Sequence, residues 1–226
     1  MWSESLNAEV IASTILLTTP QWRANPLFDP RPGLLAAQVS AERHWRLSHD
    51  PRAWQREYER VLTLLGWRHT LQAQSKPVRP SRSAGSLHEY LARGLTSLCN
   101  QQWAPDVART LEAIAACAQQ SAALDILVRH GWQLGQLNLQ VALLEADGTL
   151  RTFGLSDSSG IGGPLQGLNQ RLPTSARDLR MRSSVASLNT VLHAQVLDGL
   201  RAKLGDRSNS AMAPFTISLG SDTKLQ

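Results

Sequence analysis

Near residue 131 the hydrophobic period of this chain changes, and that change constrains its fold more than any other feature. Before Gly131, apolar residues recur at three- and four-residue steps, as in Leu87, Leu91, Leu95 and Leu98 or Val107, Leu111 and Ile114. Such spacing lines them along one side of an α-helix. Beyond it, Leu137, Leu139, Val141 and Leu143 alternate with Asn138, Gln140 and Ala142, the period of a half-buried strand. Ala146-Asp-Gly-Thr149 supplies a hairpin turn and Leu150 to Leu155 the returning strand. Helices first and strands later predict an α+β chain. Its helical N-terminal half, about residues 1–131, packs with a small antiparallel sheet formed by the C-terminal half, about 132–226, in a single domain.

Within the first half, Leu6, Val10, Ile11, Ile15 and Leu17 share a broad apolar face and predict a helix over residues 5–18. A second helix is predicted from about Gly33 to Leu47. The best-marked element follows: Asp50 as N-cap, Pro51 at the first helical position, Trp54, Tyr58, Val61, Leu62 and Leu65 as the buried stripe, and Gly66 as the stop. Ser75 to Ser86 reads as a loop or short linker. Helices then run from Leu87 to Cys99, from Pro105 to Cys117 and from Ala122 to Arg129. In the second half, Gly154 to Pro173 reads as a long mobile loop and Leu179 to Val185 as a short strand. Ser187 is expected to cap a last helix, which carries Leu188, Val191, Leu192, Leu200 and Leu204 and stops at Gly205. Phe215 to Leu219 reads as an edge strand on the hairpin sheet.

With 226 residues and 42% apolar content, the chain closes a sizeable core unaided. Its two cysteines, Cys99 and Cys117, exclude a disulfide-dense scaffold and suit a reducing compartment. The longest apolar run, Val141 to Leu144, predicts no membrane span. Glu4 and Glu9, with no Lys or Arg before Arg23, lack the charge order of a secretory signal. The expectation is a protein that folds in the cytoplasm and, where exported, leaves without a classical signal peptide.

The net charge of +5 rests on 23 basic residues, nearly all Arg. Arg43, Arg46, Arg52, Arg56, Arg60, Arg68, Arg79 and Arg82, with Lys76 among them, face only Asp50, Glu57 and Glu59 in that window. These eight arginines are the candidate interaction surface, for an acidic protein partner or for peripheral contact with anionic headgroups. A GC-rich genome would give the same Arg-rich balance. Single-strand nucleic-acid binders interleave basic residues with exposed aromatics. Here Arg43, Trp45, Arg46, Trp67 and Arg68 give only a thin version, so nucleic acid is not the expected partner. Of the 7 Trp, Trp54 and Trp67 read as core.

Searches for chemistry return little. His44, His49, His69, His88, His130 and His193 show no converging metal-ligand spacing. Ser158 to Gly167 is Gly-rich but lacks the Gly-Lys-Ser/Thr ending of a phosphate loop, and no Gly-x-Ser-x-Gly elbow occurs. Both cysteines lie on apolar helix faces, where burial raises a thiol pKa and blunts its nucleophilicity. No catalytic residue, metal or dissociable cofactor is expected, although scattered residues can assemble an active site.

Asn25-Pro-Leu-Phe-Asp-Pro30, Leu35-Ala-Ala-Gln38, Asp50-Pro-x-x-Trp54-x-x-x-Tyr58-x-x-Val61-Leu62-x-x-x-Gly66-Trp67 and Leu188-Asn189 together span most of the chain. In order and spacing they resemble small bacterial and fungal proteins of the Erwinia virulence factor type, which promotes persistence in the insect gut. The resemblance implies an intertwined α/β fold, no recognised catalytic centre and a fatty-acyl thioester on a buried cysteine, with Cys99 and Cys117 as the candidates. The function expected from it is that of a non-catalytic virulence or host-interaction factor acting through its surface. The alternative is a cytosolic adaptor or immunity-type protein that binds an acidic partner.

Overall fold

In the computed structural model the chain opens with a strand pair and not with a helix. Residues 6–24, 29–44, 50–78, 85–117, 121–133, 135–158, 164–172 and 178–215 are described. Strands β1 (Asn7–Ile11) and β2 (Thr14–Thr18) pair antiparallel. Val10, Ile11, Thr14 and Ile15 are β-branched, and all are buried. β2 is covered on both faces and shows no polar alternation, so its apolar run, continuing from Val10 and Ile11 of β1, mimics a helix face. That is why the helix expected over 5–18 is absent.

The remaining strands are β3 (Trp67–Pro77), β4 (Trp132–Gln133), β5 (Gln136–Leu144), β6 (Thr149–Asp157), β7 (Arg180–Leu188) and β8 (Met212–Pro214). Among the described residues they form one eight-stranded sheet in the order β3-β7-β6-β5-β2-β1-β8, with β4 paired to β5. β2 runs parallel to β5, and the other pairings are antiparallel.

Helices cover both faces. On one side lie α1 (Arg31–His44), α2 (Pro51–Leu64), α6 (Thr190–Leu204) and α7 (Arg207–Ala211), around Leu34, Leu35, Trp54, Tyr58, Leu62 and Trp67. On the other lie α3 (Leu87–Thr96), α4 (Ala104–Ala116) and α5 (Ala122–Gly131), around Leu91, Leu95, Leu111, Ile114 and Leu127. β5 serves both layers: Leu137, Leu139, Val141 and Leu143 join the second core, Ala142 and Leu144 the first. It is buried on both faces.

The expected division into a helical half and a small C-terminal antiparallel sheet is therefore wrong. Strands and helices interleave, and the sheet is a central layer of mixed direction between two helical ones. Three local expectations change with it. Trp67 to Pro77 is a long edge strand, whose last residue, Pro77, suits an edge. Part of the expected 154–173 loop is β6, and Leu165, Leu168 and Leu172 are buried anchors, with Leu168 O and Gln170 O accepting from His88 N and Leu87 N at the start of α3. β8 pairs with β1 at the edge away from the hairpin, while residues 216–219 lie outside the described residues.

The best-marked helix forms as expected. Asp50 Oδ1 accepts from Arg52 N at 3.0 Å and Ala53 N at 2.8 Å, and α2 begins at Pro51. Gly66, at φ +94°, turns the chain into β3 where a Cβ would stand 3.0 Å from Asn189 O and 3.2 Å from His193 N. Only glycine fits both the conformation and the space. Asn189, and not Ser187, caps α6, its side chain accepting from Leu192 N. Of the apolar residues this helix carries, Val191 and Leu192 are 67% and 50% exposed, and its buried residues are His193, Leu197 and Leu204.

Candidate ligand pocket

The tight turn between β1 and β2 is held by a side chain from α1. Ala12 sits in it at φ +49°, a left-handed conformation that costs a non-glycine residue about 1 kcal/mol or more. Gln38, buried, reaches into the turn. Its Oε1 accepts from Ser13 N at 3.0 Å and from Ser13 Oγ at 2.9 Å, and its Nε2 donates to Ile11 O at 3.1 Å and Thr14 Oγ1 at 2.8 Å. Ala12 N donates to Ala211 O at 2.7 Å, which ties the turn to α7. The strained backbone persists because these bonds over-determine it.

Against this turn lies a cavity of about 360 Å³. Ala12, Leu35, Val39 and Ala211 give it an apolar wall, and Ser13, Glu42, His130, Gln133, Arg207 and Ser210 bring polar groups. Its volume falls in the range of small-molecule sites, about 300–1,000 Å³, and so does its mix of apolar wall and few polar groups.

Glu42 stands one turn beyond Gln38 on α1, on the same face. Burial pushes its carboxyl above the usual range, opposed by the hydrogen bond it accepts from Trp54 Nε1 at 2.9 Å. His130, in the last turn of α5, is pushed the other way: burial, and then the neighbouring Arg129 charge, disfavour its imidazolium. The cavity thus combines a carboxyl that resists ionisation, a histidine that resists protonation and, at an exposed position, the Arg207 guanidinium. Such a set binds a donor or cation at one side and an anion at the other.

The sequence-derived basic surface is only partly assembled. Arg52, Arg56 and Arg60 are exposed on α2 at four-residue steps, Arg43 is exposed on α1, and Arg68 on β3. Arg46, Arg79 and Arg82 lie outside the described residues. Arg60 is committed to Glu57, with Nε to Oε2 and Nη2 to Oε1 both at 2.8 Å, and this pairing holds the Glu57 carboxyl down at about 2.

Cys99 is half-buried in the turn after α3 and packs against the α3–α5 core; burial pushes its thiol up to about 11. Cys117, half-buried at the C-terminal cap of α4, points its Sγ at Ala113 O, 3.3 Å away. Neither lines the Glu42 cavity. Among the described residues no group of three or more His, Cys, Asp or Glu is placed to hold a metal, and no helix is long and apolar enough to cross a membrane.

Sequence reasoning missed Gln38, Glu42, Ser13, His130 and Arg207 as a group. One signal was available: Gln38 lies among Leu34, Leu35, Ala37 and Ala41, a polar residue on a buried helix face, and Glu42 follows it at four residues. No protein-family model matches this chain, nor does any curated protein or solved structure.

Proposed function

We propose that the protein binds a small dipolar molecule, bearing an amine and an acidic group, in the cavity beside the β1–β2 turn. One observation carries this reading: a half-buried carboxyl, Glu42, and a guanidinium, Arg207, line one 360 Å³ cavity that also has an apolar wall. An amine on Glu42 relieves the burial of that carboxylate, and an acid on Arg207 fixes the ligand's direction. His130, held neutral, accepts or donates one hydrogen bond.

A thermal-shift screen of amino acids and of the corresponding amines tests it. At a hundred times its dissociation constant a ligand stabilises by about 2.7 kcal/mol. The expected result is a saturable rise in midpoint for at least one dipolar compound with the native chain, and none with Val39→Trp, which fills the cavity. A screen in which no dipolar compound shifts the native chain overturns the reading.

A second reading, the surface-acting host-interaction factor or adaptor with an acidic protein partner, is favoured by a different observation. Arg52, Arg56, Arg60 and Leu64 form a row at four-residue steps on α2, and Leu64, 66% exposed, and Leu192 flank the Gly66 junction. Apolar residues rimmed by cations suit an acidic, partly apolar surface. Retention on immobilised polyglutamate, lost in the Arg52→Glu, Arg56→Glu double variant, is its expected signature. Equal retention of both proteins would remove it.

A further inference from the structure

We propose that His193 is a protonated lock: its imidazolium joins the end of α2 to the chain entering α1, and release of that proton loosens the docking of α6. His193 is fully buried in the first turn of α6, behind the Asn189 cap. Its Nδ1 lies 3.1 Å from Leu65 O and its Nε2 lies 2.9 Å from Asp29 O. Both partners are backbone carbonyls, which accept and never donate. A neutral imidazole carries one N–H, so at one of the two contacts a bare nitrogen lone pair would face an oxygen lone pair. Only the imidazolium, with an N–H on each nitrogen, donates to both.

Turning the ring over does not remove the conflict. It places Cδ2 and Cε1 at the two oxygens and leaves neither carbonyl a donor from His193. The two carbonyls are also fixed by contacts that do not involve the ring. Gly66 O, one residue beyond Leu65, accepts from Asn189 N at 2.8 Å, and His193 N donates to Asn189 O at 3.0 Å, so backbone bonds alone tie the α2–β3 junction to the start of α6. Asp29 is anchored by its carboxylate, 2.6 Å from Arg31 Nε and 3.3 Å from Arg201 Nη2.

The charged groups around this joint come from two of its three sides. Asp29 precedes α1, Arg31 lies in its first turn and Arg201 farther along α6, with Glu9 and Asp198 within 4 Å of those arginines. The end of α2, from Val61 to Leu65, carries no charged side chain. Against burial, which raises it, Arg31 and then Arg201 hold the Asp29 carboxyl below its ordinary value, so it stays ionised where a histidine titrates. Leu65 O belongs to the last carbonyls of α2, the negative end of that helix, which favours a cation. The first turn of α6 opposes one, and the two direct contacts decide between them. The lock is separate from the Glu42 pocket, and its test does not depend on that reading.

Nitrogen NMR of the histidine rings in the full native chain, at about pH 7.5, tests the protonation state without a variant. A histidine of an unfolded chain is mostly neutral there. The expected result is a proton on each ring nitrogen of His193, and a ring with one protonated and one bare nitrogen overturns the proposal. Stability gives the second measurement. His193→Phe keeps a ring of similar volume, removes both donors and leaves every other titrating group common to the two proteins. Below about pH 6.5 the unfolded histidine is protonated as well, and the native chain holds its full lead over the variant. As pH rises the unfolded chain releases that proton first, so the ratio of the two folding constants falls, by up to about tenfold per pH unit. A lead that stays level or grows between pH 6 and pH 8.5 overturns the lock.

Discussion

The two faces of the central sheet are covered in the same way but made of different chemistry. Toward α3, α4 and α5, strands β5 and β6 present Leu137, Leu139, Val141, Leu143, Phe153 and Leu155, with polar side chains only at the ends of the row, Arg151 and the buried Asp157. Toward α1 and α2 the same strands are apolar only at one end, with Ala142, Leu144 and Leu150, and turn polar at the other, with Asn138, Gln140 and Ser156 joined by Arg182 of β7. A mainly apolar layer needs chiefly volume and pattern, and it tolerates exchange of one aliphatic residue for another. A buried polar layer needs each partner in place, because a lost partner leaves an unsatisfied group behind. The first face therefore tolerates substitution better than the second. The Glu42 pocket lies on the second, completed by His130 of α5 and Gln133 of β4.

Trp54 is the side chain on which the polar end of that second face depends. It is fully buried, stacks at 5.4 Å on Tyr58, roofs Arg182 and donates to Glu42. Trp54→Ala should cost about 3–5 kcal/mol, since it opens a cavity and uncovers a buried cation at once. Leu139→Ala, which opens a cavity in the apolar face and uncovers nothing charged, should cost about 3 kcal/mol. Denaturant unfolding of both variants checks the order. A smaller loss for Trp54→Ala than for Leu139→Ala would mean that the indole is a filler and not a partition between polar groups.

Gln38→Leu sharpens the same contrast. Leucine fits the volume, but Ser13 N and Ile11 O lose their partner in a buried turn already strained at Ala12. The expected loss is about 2 kcal/mol, with faster amide exchange at Ser13 than in the native chain. Unchanged exchange at Ser13 would show that the turn holds itself.

These effects also explain what could be read from the sequence. α2 was legible because every signal for it is local: Asp50 caps it, Pro51 starts it, and Gly66 ends it in a conformation and a space that only glycine fits. β2 was not, since a strand buried on both faces carries no alternation, and neither was β1, whose Asn7–Glu9 alternation spans too few residues to register; Ser13 and Thr14 look like breaks in an apolar run until Gln38 is seen to bond them. Asn138 and Gln140 misled in the opposite sense. Their alternation with leucines is what a half-exposed strand shows, yet both are buried beneath α2. Arg182 was unreadable as a buried cation because the gap at Gly154 and the Asn138 carboxamide that receive it lie on other strands. The basic window was legible as composition, but its pairing was not: Arg60 is neutralised by Glu57 on its own helix.

The smallest effect expected is electrostatic and belongs to Glu42. Burial raises its carboxyl in the folded chain above the ordinary value of 4.5, so above that value the native state holds a proton that the unfolded chain releases. Stability then falls as pH rises, which is the reverse of the contribution of Glu57, whose lowered carboxyl stabilises above 4.5 and loses that effect as pH falls toward 2. Glu42→Gln keeps an acceptor for Trp54 Nε1 and removes the ionisation. Below 4.5 the native and variant chains should differ little, because Glu42 is protonated in both of its states. As pH rises through the folded-state value the variant should gain on the native chain and then hold a constant lead. Chemical unfolding of both proteins from pH 4 to pH 8 reads the difference directly, with the Glu57 contribution common to both and cancelling. A lead that shrinks with rising pH would show that a cation already neutralises Glu42, leaving no unmet charge at the pocket for an amine to satisfy.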